Sequence, residues 1–202
     1  YDLGPAALHL GLARLQRMDA VRMARERLPA LMDQVRHTLA LAVWGNHGPT
    51  LIHWEPSPQT TLAHLRLGDV MPLLSSATGR CFAAWMPAAL TVPLLQAEMQ
   101  QARDAGRRDL PTTTSALQAL LAEVRQHGGA RVIDTLLPGN AAFCVPVFDA
   151  SGHLALGLLS LGPTAGFDTA WNGAVHAPLH AAALQLSQDL GHGCCTPQAP
   201  AP

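Results

Sequence analysis

The sequence predicts an α+β domain, an antiparallel sheet of about six strands flanked by helices. Three observations carry this. Apolar segments at 38–44 and 50–55 are joined by Gly45-Asn46-His47-Gly48-Pro49, a hairpin signal. Two further apolar segments, 141–148 and 153–162, are joined through Asp149-Ala150-Ser151-Gly152. The order is helices, three strands, helices, three strands, helix; turn-linked strands with helices to cover them suit an antiparallel sheet. No G-x-G-x-x-G follows a strand, which argues against a nucleotide-binding doubly wound sheet.

Taken in order, 3–15 reads as a helix with Pro5 in its first turn, and 18–35 as a second with Pro29 as a kink. Its basic cluster, Arg22, Arg25 and Arg27, reads as a solvated face, and Val21, Ala24, Leu28, Leu31 and Val35 as the opposite, apolar one. Strands follow at 38–44, 50–55 and 60–67. Ser75 or Ser76 caps a helix that runs to Met86, where Pro87 intervenes. Residues 91–103 are helical. Ser115 with Gln118 resembles a capping box for a helix ending at His127-Gly128-Gly129. The last three strands are 131–135, 141–148 and 153–162, and the closing helix is 169–190, weakened by Pro178. The tail from Gly191 reads as disordered.

The 202 residues suit one domain, and a 49% hydrophobic content beside only 13% charged residues implies extensive burial, including between subunits. A net charge of -1 removes the electrostatic case for this chain holding nucleic acid by itself. Its thirteen basic residues are all arginine, which excludes a Walker-type phosphate loop, a Schiff-base lysine and a Ser-x-x-Lys nucleophile. Cys81, Cys144, Cys194 and Cys195 show no C-x-x-C spacing and read as reduced, buried or tail residues, which suits the cytoplasm. No segment is long and apolar enough to span a bilayer. The chain opens on Tyr1 rather than Met, and a segment upstream is expected.

The stretch Pro72-Leu-Leu-Ser-Ser-Ala-Thr-Gly-Arg80 carries the chemistry. A strand end runs through paired serines into a small-residue helix whose first N–H groups lack partners, so Ala77 and Thr78 face an anion or polar ligand with N–H donors and a hydroxyl. Capping by the serines alone is the competing reading. His176 and His180 stand one helical turn apart and form at most half a metal site; no metal or cofactor is expected.

The chain resembles the C-terminal effector-binding domain of the IclR family of bacterial transcription regulators. The carriers are Tyr1-Asp2-Leu3-Gly4, Gly68 with Pro72-Leu73, Ala77-Thr78-Gly79-Arg80 running into Ala83, and Thr112. Leu117–Leu121 with Arg125 and Gly128, Pro138-Gly139, Pro146-Val147-Phe148-Asp149, Gly152 and Gly162 complete the pattern. The resemblance implies a GAF-like domain over 1–190, its first 15 residues beginning an interdomain helix, with 191–202 as a disordered tail. It also implies a winged helix-turn-helix ahead of this sequence, which alone contacts operator DNA.

The expected site comprises Ala77 and Thr78 for the polar head of an effector and Asp134, on a strand beside Val132, for a hydroxyl or amine. Ala63, Met71, Ala142, Cys144, Leu159 and Leu161 form the apolar wall; ordinary core packing fits each of these six as well. Trp44 and Trp54 are further candidates to cover a ligand, with ordinary packing the alternative. Family members resembling sensors of small oxo-acids present hydroxyls where this chain has Leu159 and Leu161, so the effector expected here is a carboxylate with an apolar or aromatic body. The expected partners are that small molecule and further copies of the chain, as a homodimer or homotetramer, with no membrane and no enzymatic activity. A small enzyme using Cys144 or Asp134, and a dimerisation module with an empty pocket, are the rival readings.

Overall fold

The computed structural model describes residues 5–57 and 65–193, with side chains from residue 19 onward. Helix α1 (Pro5–Val35) is followed by strands β1 (Thr38–Gly45) and β2 (Gly48–Glu55), then helices α2 (Ala77–Trp85), α3 (Ala88–Asp104) and α4 (Thr114–Gln126). Strands β3 (Ala130–Ile133), β4 (Asn140–Phe148) and β5 (Leu154–Pro163) precede the last helix, α5 (His176–Asp189).

The strands form one sheet in the order β2-β1-β5-β4-β3, every neighbouring pair antiparallel. Both faces are covered, which is why β4 and β5 read as nearly continuous apolar runs. On one face Leu39, Leu41, Phe143, Val145, Val147, Leu156 and Leu158 pack against Ala24, Leu28 and Leu31 of α1 and Leu179, Ala183 and Leu186 of α5. Burying each such large side chain contributes about 1.5–3 kcal/mol.

The opposite face is built from small residues, Ala40, Ala42, Cys144 and Gly157, and α2 lies close upon it. A Cβ on Gly157 would stand 2.9 Å from the Phe82 ring of α2 and 3.0 Å from the Cys144 sulfur. Small strand residues therefore let α2 lie close on the sheet at Phe82.

Several boundaries differ from the sequence reading. The two expected N-terminal helices are one; Pro29 sits on the exposed side, where the carbonyl it frees meets water. The cap of α2 is Ser76, and that of α4 is Thr113, whose hydroxyl accepts the Ala116 N–H at 3.2 Å, in place of Ser115. The closing helix starts only at His176, because 169–175 turn around the Asp168 carboxylate, which accepts the Ala170 and Ala174 N–H groups. The expected third strand falls largely on 58–64, outside the described residues; Leu65–Leu67 carry no strand, and Val70 makes an isolated bridge to Thr50. The sheet therefore has five strands among the described residues.

Candidate ligand pocket

A cavity lies under the N-terminus of α2, floored by β4 and β5. It is lined by Leu51, Trp54, Leu65, Met71, Ser76, Ala77, Thr78, Val132, Leu136, Leu137, Asn140, Ala141, Ala142, Leu159 and Leu161. No charged side chain is among them. It offers about 40 Å³ to the centres of water-sized molecules, room for about three waters. Much of its wall is leucine and methionine, whose side chains repack at low cost.

Its polar end is made by the first turn of α2. Ser76 is fully used locally: its hydroxyl donates to the Pro72 carbonyl at 2.7 Å and accepts the Gly79 N–H at 2.8 Å. Among the described residues nothing accepts the N–H of Ala77 or Thr78. The Thr78 hydroxyl, on a residue only 1% exposed, is buried with no partner. Unpartnered donors at the positive end of a helix, facing an apolar cavity, can hold an anion or a strong hydrogen-bond acceptor.

The chain ahead of α2 is held from both sides. The two carboxylate oxygens of Glu98 on α3 accept the Leu73 and Leu74 N–H groups at 2.7 and 2.8 Å. Arg80 Nε donates to the Leu74 carbonyl at 2.7 Å, and a second guanidinium nitrogen donates to the Arg131 carbonyl at 3.2 Å. Burial raises the Glu98 carboxyl above its ordinary range, the two N–H groups pulling the other way.

Six of the nine expected site residues, Met71, Ala77, Thr78, Ala142, Leu159 and Leu161, line the cavity. Ala63 lies outside the described residues. Cys144 does not line the cavity: it is fully buried deeper beneath α2, hydrogen-bonded to Cys81, whose thiol burial pushes well above its usual range. Shut away from both solvent and the cavity, Cys144 has no substrate within reach, which argues against the nucleophile reading. Asp134 is also elsewhere. Alternation would carry it to the face of Val132, but β3 ends at Ile133 and Asp134 adopts a φ of 55° on an exposed turn. There its carboxylate accepts the Gly139 N–H at 2.7 Å and the Thr164 hydroxyl at 3.3 Å, fastening the Pro138-Gly139 turn.

Trp54 lines the cavity, whereas Trp44 packs on Phe82 with ring centroids 6.1 Å apart. Leu136 and Leu137 escaped the sequence reading because they lie on a turn with no periodicity to read, and Asn140 because it opens β4 one residue before the expected strand. Among the described residues no group of three His, Cys, Asp or Glu side chains is placed to hold a metal. His176 and His180 stack with centroids 5.5 Å apart, and His127 stacks on Trp171. A groove of about 760 Å³ between α1, the β1–β2 hairpin and the start of β5 is larger. Arg22 on its rim is already paired with Glu26 at 2.8 Å, whereas the cavity under α2 presents unpartnered donors and is the better-built site.

A helix-flanked antiparallel sheet, here with a pocket at a helix N-terminus, is the arrangement shared with the C-terminal domains of a class of transcriptional regulators. Residues 12–188 match the family model described as the bacterial transcriptional regulator IclR C-terminal. The chain is 28% identical over 192 residues to the HTH-type transcriptional regulator KdgR of Escherichia coli, covering 95% of this chain and 72% of that protein. To BhcR of Paracoccus denitrificans it is 26% identical over 188 residues, with 93% and 66% covered. Among solved structures, Pseudomonas aeruginosa HmgR superposes with a TM-score of 0.78 at 34% identity, covering 96% of this chain and 76% of that one. The C-terminal domain of E. coli KdgR superposes with a TM-score of 0.70 at 26% identity, covering 86% and 99%. The chain belongs to the IclR family, whose members are transcriptional regulators rather than enzymes.

Proposed function

We propose that this domain senses a small carboxylic acid with an apolar or aromatic body and passes the signal to operator DNA through a winged helix-turn-helix lying outside this chain. The supporting observation is the buried, unpartnered Thr78 hydroxyl beside the open N–H groups of Ala77 and Thr78, in an otherwise apolar cavity. The acid head takes the three donors, and the body lies along Leu159, Leu161, Met71 and Trp54. A ring does not fit the volume of about three waters, so the body enters by displacing Leu136, Leu137 and Met71.

The domain works in the cytoplasm as a homodimer or homotetramer, in keeping with its high apolar content. An effector controls the DNA-binding heads only if it binds one arrangement of protomers better than another. A thermal-shift screen against benzoate, phenylacetate, hexanoate and pyruvate tests the reading. A concentration-dependent rise with the first three and not with pyruvate is expected; no rise with any acid contradicts it.

A further inference from the structure

We propose that Glu98, a residue of α3 that lies outside the cavity wall, is the positioning residue for the acid-binding end of the pocket. The proposal rests on the carboxylate reading above and assigns the group that aims its donors.

The donors at Ala77 and Thr78 have no rigid support of their own: they follow a four-residue turn, Leu73 to Ser76, between an isolated bridge and a nine-residue helix. Glu98 holds the N–H side of that turn, while Arg80 holds the Leu74 carbonyl. The two oxygens of Glu98 take two successive N–H groups, Leu73 at 2.7 Å and Leu74 at 2.8 Å, a two-pronged hold with charge-assisted strength. The carboxylate is expensive to keep there, because it is substantially desolvated. An apolar side chain in its place would leave both N–H groups without an acceptor, so the carboxylate does there what the leucines and methionine of the neighbouring apolar cluster cannot. The return on that cost is orientation. With Leu73 and Leu74 held, the Pro72 carbonyl is set to receive the Ser76 hydroxyl, and Ser76 in turn takes the Gly79 N–H. The Ala77 and Thr78 donors are then the ones left over, directed at the cavity.

Calorimetric titration of the domain with phenylacetate, and with toluene as the same ring without the acid, tests the assignment. Glu98→Gln keeps one acceptor and loses the other. The variant should bind phenylacetate about tenfold or more weakly, with toluene affinity changed less than twofold. A purely structural role weakens both probes together, and that result, or undiminished phenylacetate binding, overturns the assignment. Should Glu98→Gln be unfolded at the assay temperature, Glu98→Asp, which keeps the charge and shortens its reach by one methylene, is read in the same way. If the unaltered domain binds toluene but not phenylacetate, the carboxylate reading itself fails and the assignment with it, an outcome distinct from the other two.

Discussion

The Cα of Gly79 lies so close to the Pro72 carbonyl that a Cβ added to it would stand 1.9 Å from that oxygen and 2.5 Å from the Leu73 Cα. The obstacle is backbone, which has no rotamer to escape into. Gly79 is what allows the first turn of α2 to close back on the segment that precedes it, and that closure forms the polar end of the pocket.

Gly79→Ala must therefore push α2 off the Pro72–Leu73 segment. A cost of about 3 kcal/mol or more is expected for this overpacking, lowering Tm by roughly 6–12 °C in a domain of this size. Thermal unfolding followed by circular dichroism checks it; a loss under a degree would mean the turn is not held as described.

Cys81 and Cys144 should be inert in the folded domain. Both are completely buried, and burial, with Cys144 as hydrogen-bond partner, holds the Cys81 thiol well above its usual range. Iodoacetamide at pH 8, followed by peptide mass mapping, should leave both unmodified in native protein and alkylate both in denaturant. Labelling of Cys144 in native protein at the rate of a free thiol would restore the nucleophile reading.

His176 should make the domain acid-sensitive. Its ring is lowered to about 4 by burial, with His180, His127 and Arg131 adding to the effect. It is neutral when folded and accepts the Asn172 N–H at 3.1 Å. Because the folded value lies below the unfolded 6.5, the unfolded chain takes up the proton first, and stability falls as pH drops from about 6.5 towards 4. His176→Asn, whose amide oxygen replaces the accepting nitrogen, should lose less Tm than the unaltered domain between pH 7 and pH 5. Parallel Tm curves for the two proteins would show that another group governs the acid limb.

Much of the pocket was legible in the sequence because β-strand parity is strict. Leu159 and Leu161 face the cavity, while Ser160 pairs with Leu39 and Phe143 on the other face. The helix cap was equally readable, since paired serines ahead of a small-residue helix are a capping signal. What parity could not give is where a strand stops. Asp134 obeys the alternation on paper and departs from it because β3 ends one residue earlier. Nor could it give depth: Cys144 shares a face with Ala142 but lies farther along β4, under α2 rather than at the opening. Glu98 was invisible for another reason. A glutamate in the middle of a helix reads as a solvated charge, and only the fold brings Leu73 and Leu74 to it.

Thr78→Val separates a ligand site from a cap most directly. The change removes a hydroxyl that is buried without a partner and keeps the shape of the side chain. It should therefore stabilise the ligand-free domain by about 1 kcal/mol, raising Tm by roughly 2–4 °C. The same change removes a donor from the acid, so phenylacetate affinity should fall about tenfold. The measurement is a phenylacetate titration of Tm on both proteins. A higher starting Tm with a smaller ligand-induced rise is the predicted result; equal rises in the two proteins, or none in either, would contradict the account of the pocket.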